Sequence, residues 1–344
     1  MYLTDRLVQA LVFARVNTST RVESLLLGSL MAVAEPSRQG PSPWENRSQA
    51  CHTPKAMAST DLIRRWQALD DRALWLLLAA LMAVYLLVLT LLTQSPDEAV
   101  NMLLLMGGAV LLAPAFPEGW QPRPGRLGRW LGLALLLVVF WRGQRIVAFD
   151  FGSSLLLPMA GLALVLLAAP VGRWRPFAWP MAVLAGLPLW RAVGWLTPLG
   201  PLSELTAWLS RLWLDLCGFS VSQSGLFVYL PGGGVKVAAA CAGLNILLQL
   251  LVVALLFAKA FPMRRRWQNG LMLLIAPVLA VLINAMRIAL LAWINASGLP
   301  QKQWWFDFLH DSWGGLVFAG VAMQLFVWMY VYWLARQVAA LASR

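Results

Sequence analysis

Three residues in the last third of the chain could carry out nucleophilic chemistry together: Cys241, Arg287 and His310. A thiolate is a strong nucleophile, but a free thiol titrates near ~8.5. It needs a base or a cationic neighbour to react at neutral pH. Histidine can take that proton and return it to a leaving group. Arginine is permanently charged and so is no base; it can hold a substrate carbonyl or stabilise an oxyanion, and it favours the thiolate. Thiol, imidazole and guanidinium are the parts of an acyl-transfer site. Their neighbours extend the pattern. Cys241, Asn245 and Gln249 recur at i, i+4 and i+8, a polar stripe on one helical face, and Asn284 shares a face with Arg287 at i, i+3. Gly243, Gly314 and Gly315 allow close approach of a backbone or a substrate.

Each of these residues also has a plainer reading. A lone cysteine packs as a small hydrophobe, and Cys217 could join Cys241 as a disulfide in an oxidising compartment. An arginine near an interface snorkels. His310, within "FDFLHDSWGG", could sit in a polar helix cap with Asp307 or Asp311 holding the ring. Gln249 and Gln324 also read as glue between helices. What separates the readings is whether the three residues meet at one depth, and that depends on the elements that carry them.

Those elements are membrane helices. Of 344 residues, 60% are hydrophobic and 12% charged, against roughly 45–50% and 25% in soluble domains. The expected fold is all-α, a polytopic membrane helix bundle. The formal charge of +12 sits in short arginine clusters between apolar runs. That placement sets topology and makes no nucleic-acid face. Three cysteines and two histidines give neither a disulfide framework nor a metal site, and no cofactor is called for.

About eight spans are expected, judged against the ~20 apolar residues a bilayer demands: Ala73–Thr93, Ala99–Phe116, Arg129–Phe149, Gly152–Pro170, Phe177–Leu196, Cys241–Ala260, Leu271–Ile294 and Ser312–Ala335. Cations fall in alternate loops, at Arg64, Arg65 and Arg72, at Arg123, Arg126 and Arg129, at Arg173 and Arg175, at Lys259 and Arg264–Arg266, and at Arg336 and Arg344. The positive-inside rule then makes both termini cytoplasmic. The opposite loops are poorer in cations, and "QSPDE" is acidic. One long outer segment, Thr197–Ala240, holds an amphipathic stretch with Leu205, Trp208, Leu209, Leu212 and Leu216 on one face, expected to lie in the interface. A strand-like loop, "LFVYLPGGGVKVAAA", then leads to Cys241. With this topology Cys241 enters from outside, Arg287 lies near the outer end of its span, and His310 precedes a span that starts outside. The three converge at the outer leaflet. An ionisable residue in a span costs roughly 2.5–3.5 kcal/mol even on the lenient scale, which makes Arg287 a functional candidate by default.

"AACAGLN", "NAMRIALL" and "HDSWGG", in that order on the last three spans, resemble the exosortase/archaeosortase family. The resemblance covers roughly Leu74–Ala335, with the specific motifs confined to Ala238–Gly315. It implies Cys241 as nucleophile, Arg287 as oxyanion or substrate stabiliser, His310 as acid and base, and Asn284, Asn245 and Gly243 as supporting residues. Ala242 stands where many members carry a small hydroxyl residue. The implied enzyme is a thiol transpeptidase or peptidase of a bacterial inner membrane, with its site at the periplasmic face. The implied partners are secreted proteins bearing a short motif such as Pro-Glu-Pro, a spanning helix and a basic tail. The acyl group would pass through a thioester to an acceptor that the sequence does not name. An acidic motif would suit the outer-face cations Arg142, Arg145, Arg191 and Lys236, although the first three also read as interface anchors.

A different class stays open: a transporter, or a partner in polysaccharide export, in which Arg287 binds an anionic substrate. No internal repeat supports it, and the polar residues gather at one face instead of the midplane. Residues 1–56 are polar, rich in Pro and Ser, and aperiodic, so they are expected to be disordered. The composition changes abruptly at "MASTDLIRRW", which makes Met57 the expected biological start. Native peptides from upstream of Met57 would overturn that. Residues 57–344 are then the exosortase-like membrane domain, with its catalytic part in 197–335.

Overall fold

A computed structural model describes residues 57–114 and 120–342; the expectation for residues 1–56 lies outside them. The chain divides into two compact units after Asp70. The first contributes only the helical residues 57–70, and the second, Asp71–Arg344, holds everything discussed below. The described elements are α1 (Met57–Leu92), α2 (Pro96–Leu111), α3 (Arg126–Gly143), α4 (Phe151–Ser154), α5 (Leu156–Ala168), α6 (Ala178–Leu184), α7 (Gly186–Leu196), α8 (Leu199–Leu216), β1 (Ser222–Ser224), β2 (Phe227–Leu230), β3 (Gly233–Lys236), α9 (Leu244–Ala260), α10 (Arg266–Ala296), α11 (Lys302–His310) and α12 (Ser312–Ala342).

Among the described residues five helical segments are long and apolar enough to cross a membrane: Asp71–Leu92, Phe151–Ala168, Ala239–Ala260, Arg266–Ala296 and Trp313–Ala340. The other three expected spans take a different form. α2 has 16 residues, about 24 Å at 1.5 Å per residue. α3 carries Arg126, Arg129 and Arg142 within its 18 residues. The stretch expected as Phe177–Leu196 is split into α6 and α7. Pro180 and Pro188 there remove amide donors from the ladder.

Large apolar side chains face outward along these helices, among them Leu74, Leu81, Val110, Leu137 and Trp130. In lipid that outward face needs no protein cover, so association depends on close packing of small residues. Ala254, Ala276, Ala280, Ala319 and Ala322 are buried where α9, α10 and α12 meet, beside Leu250, Phe326 and Tyr330. Gly128 and Gly132 do the same for α3 against α5, where a Cβ would come within 3.0 Å of the Leu166 carbonyl oxygen and 3.1 Å of that of Ala163.

α8 packs on α10 through its small and hydroxyl-bearing face. Ser203, Thr206, Ala207, Ser210 and Leu214 are buried, and Leu205, Trp208, Leu212 and Leu216 are exposed. Ser210 Oγ donates to the Ala285 carbonyl at 2.9 Å, and Thr206 Oγ1 to that of Ala242 at 3.1 Å. The stripe expected to seek the interface is therefore the one left facing outward.

After α8 comes a three-stranded antiparallel meander in the order β1-β2-β3, with Ser222 opposite Tyr229 and Phe227 opposite Lys236. The β2–β3 turn has Pro231 at its first corner and Gly232 at φ +101 at its second. The hairpin presses on the end of α10: a Cβ on Gly233 would lie 2.9 Å from the Asn295 carbonyl oxygen, and Asn295 Nδ2 donates to Gly234 O at 2.6 Å. Three glycines in succession are what this close approach requires.

Candidate active site

The hairpin delivers Cys241. Val237 is fully buried and continues the β2 pairing through its N–H to Leu226 O at 2.9 Å. A single 3₁₀ turn, Ala239–Cys241, follows. Gly243 at φ +88 then redirects the chain into α9. Cys241 therefore sits on a tight turn ahead of the helix, and the polar stripe read as i, i+4, i+8 is helical only at Asn245 and Gln249. The turn still brings all three onto one cavity wall. A Cβ at Gly243 would lie 2.6 Å from the Asn284 amide, so both the positive φ and the neighbour require glycine. Asn284, fully buried on α10, donates through Nδ2 to the Cys241 carbonyl at 2.9 Å.

His310 is the last residue of α11, a nine-residue helix between α10 and α12. Its Nε2 lies 3.6 Å from Cys241 Sγ. Its ring stacks on Phe306 with centroids 5.5 Å apart, and Asp311 Oδ1 stands 3.8 Å from Nδ1. With the proton on Nδ1, toward that carboxylate, Nε2 presents its lone pair to the thiol. Arg287 fixes this corner. Only 8% exposed, it donates through Nε to Leu309 O at 2.9 Å and through Nη2 to His310 O at 2.6 Å and Asp311 O at 3.4 Å. Carbonyls at a helix C-terminus lack intrahelical partners, and the guanidinium supplies them to α11. Gly314 lets the first turn of α12 cross α11 at the Leu309 backbone, where a Cβ would clash.

Two cavities flank the Cys–His pair. One, of about 280 Å³, is lined by polar groups that include Asp97, Asn245, Gln249, Asn284, Arg287 and Asp311. The other, of about 190 Å³, is walled by Gly234, Val235, Lys236, Ile288, Leu291 and Phe306. Cys241 and His310 line both.

The chemistry open to this arrangement is proton transfer between thiol and imidazole with space on both sides of the sulfur. The transmembrane exosortase family (Exosortase_EpsH) matches residues 92–327, about two thirds of the chain. The protein belongs to this family. It is thus a member of a membrane protein-sorting system, and exosortases generally sort proteins that bear a PEP-CTERM signal. No curated protein and no solved structure matches the chain.

Within this exosortase the remaining sequence candidates are dispersed. Arg191 Nη2 is paired with Glu98 Oε1 at 2.7 Å and bonded to Phe149 O at 3.0 Å. Arg142 stands 3.6 Å from Asp150. Arg145 lies over the Trp141 ring, its guanidinium carbon 4.2 Å from the centroid. Of Arg142, Arg145, Arg191 and Lys236, the cations expected at the outer face, Lys236 is the one that lines a cavity shared with Cys241. Cys217 and Cys241 are both free thiols, the first exposed and the second buried. From the sequence α2 reads only as a span (Ala99–Phe116) behind an acidic loop and carries no site residue, although it places Asp97, Glu98 and Asn101 at or next to the site. Asn101 is 1% exposed, accepts from Gln249 Nε2 at 2.7 Å, and points its own Nδ2 at Glu98 Oε2 (3.3 Å) and Asn245 Oδ1 (3.4 Å). An amide inside an apolar run was the available signal.

Proposed function

We propose that this exosortase is a thiol transpeptidase that cleaves the C-terminal sorting signal of secreted proteins through a thioester on Cys241. The observation that carries the reading is the 3.6 Å approach of His310 Nε2 to Cys241 Sγ at the junction of two cavities. Sγ attacks the scissile carbonyl carbon as its proton passes to Nε2. The C–N bond breaks, and His310 gives that proton to the departing amine. An acceptor nucleophile then loses a proton to His310 and attacks the thioester, and the thiolate leaves and is reprotonated. Arg287 holds the His310 turn with Nε and Nη2, and Nη1, uncommitted among the described residues, is left for the oxyanion.

The remaining expectations belong to the same reading. α2, α3 and the α6–α7 pair complete eight crossings with the five long spans. The alternating arginine clusters then put both termini in the cytoplasm and the site at the outer face of the bacterial inner membrane. A substrate anchored by its own spanning helix presents its motif at this depth, which raises its effective concentration. Lys236, on the second cavity, is the cation placed to meet an acidic motif. The test is processing of a tagged protein with a Pro-Glu-Pro motif, spanning helix and basic tail in cells carrying wild type, Cys241→Ala or His310→Ala. Each variant should insert normally and leave the tail attached. Wild-type processing by Cys241→Ala would end the thiol reading.

A further inference from the structure

Two hydrogen-bond acceptors on the larger cavity lack a donor among the described residues. Gln249 and Asn284 both line it, both are 0% exposed, and neither Gln249 Oε1 nor Asn284 Oδ1 has a hydrogen-bond partner among the described residues. Buried amide oxygens are normally paired, so two unpaired ones on one cavity call for an explanation.

Neither amide can turn over to relieve the deficit. Asn284 is held by its Nδ2 bond to Cys241 O. Gln249 is held by its Nε2 bond to Asn101 Oδ1. Asn101 is held in turn, because its Nδ2 faces Glu98 Oε2 and Asn245 Oδ1. An ionised carboxylate only accepts, and Glu98 is itself fixed by Arg191 at 2.7 Å. The partly buried ion pair thus sets the sense of every bond in the chain, and the chain ends at Gln249, a lining residue of the cavity whose Oε1 is left without a donor among the described residues.

We infer that this wall is a peptide subsite: Gln249 Oε1 and Asn284 Oδ1 accept two backbone N–H groups from the extended segment of the polypeptide that Cys241 attacks. The Arg191–Glu98 pair sets the polarity of that wall through Asn101. The inference rests on Cys241 being the nucleophile. A cavity of about 280 Å³ is too small for a helix, which is roughly 10–12 Å across with its side chains. An extended chain fits, and it presents N–H groups to one side at every second residue. Arg287 lines the same cavity and can meet a carbonyl oxygen, while Asp97, Asp311 and the two orphan oxygens call for donors, a combination that a peptide backbone supplies.

The test uses the purified full chain in lipid nanodiscs. The probe is a synthetic peptide spanning the cleaved bond of a protein whose processing in cells requires Cys241. A matching set replaces each backbone N–H in turn with an ester oxygen, which removes one donor and leaves the side chains intact. Two ester positions should each lower kcat/KM about tenfold on the wild type. One of them should cost nothing further on Gln249→Met. If Gln249→Met does not accumulate, the wild-type series decides alone, and a series without sensitive positions overturns the subsite. A flat series in which Gln249→Met instead lowers partition of the thioester to a primary amine, glycinamide, over water also overturns it, because the donor is then the acceptor's amine. If Cys241→Ser cleaves the parent peptide at the wild-type rate, the nucleophile assignment fails instead.

Discussion

Arg287→Lys is the substitution that separates holding His310 from holding substrate. Arg287 reaches Leu309 O with Nε and His310 O with Nη2, at 2.9 and 2.6 Å, from a side chain 8% exposed. Hydrogen bonds from a charged donor contribute about 1.5–3 kcal/mol each. Lysine keeps the charge, but its compact ammonium lacks the fork that spans both carbonyls. At least one bond is lost, and if the loss appears as displacement of the imidazole, processing falls about ten- to a hundredfold. Arg287→Ala loses both bonds and leaves the last carbonyls of α11 unpaired, so its effect should be larger. The assay is the initial rate of substrate processing at matched levels of inserted protein, run as a double-mutant cycle with His310→Ala. If Arg287 acts by placing His310, the combined variant is scarcely slower than His310→Ala alone. Additive losses would refute the positioning role, and so would a wild-type rate for Arg287→Lys.

Four other substitutions test the surrounding structure. Gly243→Ala puts a Cβ on a residue at φ +88 and 2.6 Å from the Asn284 amide; the left-handed conformation alone costs roughly 1–2 kcal/mol, so thermal stability in detergent and processing should both drop. Thr206→Val removes the bond to Ala242 O and keeps the shape. It should lower stability by about 1 kcal/mol with processing retained to within a few-fold. Cys217→Ser should process at the wild-type rate, because that thiol is exposed and unbonded; a loss of activity would reopen a covalent role for it. Asp150 caps α4 by accepting from Ser153 N and Oγ, and these bonds hold its carboxyl below the usual carboxylate value, with Arg142 adding a smaller pull. Its contribution is therefore present above the unfolded value near 3.8 and lost as pH falls through the lower folded one. Asp150→Asn should flatten that acid limb of a stability–pH profile.

The convergence of thiol, guanidinium and imidazole was legible because each is fixed to an element by short-range signals. Cys241 opens an apolar run, Arg287 interrupts one, and His310 precedes one, so orientation alone ranks them by depth. Local backbone was harder to read. Cys241, Asn245 and Gln249 have helical spacing, and the break at Gly243 is a matter of φ that periodicity does not report. Long-range polar pairing has no local signature at all. Asp97 and Glu98 read as part of an acidic loop, and Arg191 as an interface anchor. Only the fold shows that Glu98 and Arg191 meet at 2.7 Å and that Asn101 is hydrogen-bonded to both Glu98 and Gln249.

That blindness bears on where selectivity resides. The exposed pair Arg142–Asp150, 3.6 Å apart, has side chains 39% and 58% accessible; at such exposure an ion pair contributes little. The Arg191–Glu98 pair is shorter and less exposed, at 25% and 20%, where removing one partner strands the other charge. Cations picked for their place on the outer face would attract an acidic motif only if they were uncommitted, and the deeper of these two is engaged by the chain's own carboxylate. Its effect on a substrate therefore runs through the sense of a hydrogen-bond chain. On that logic Lys236 is the residue whose charge a motif would feel directly: Lys236→Gln should raise KM for a motif containing Glu and leave it unchanged for the same motif with Gln in that place. An equal effect on both peptides would show that Lys236 shapes the second cavity without reading charge.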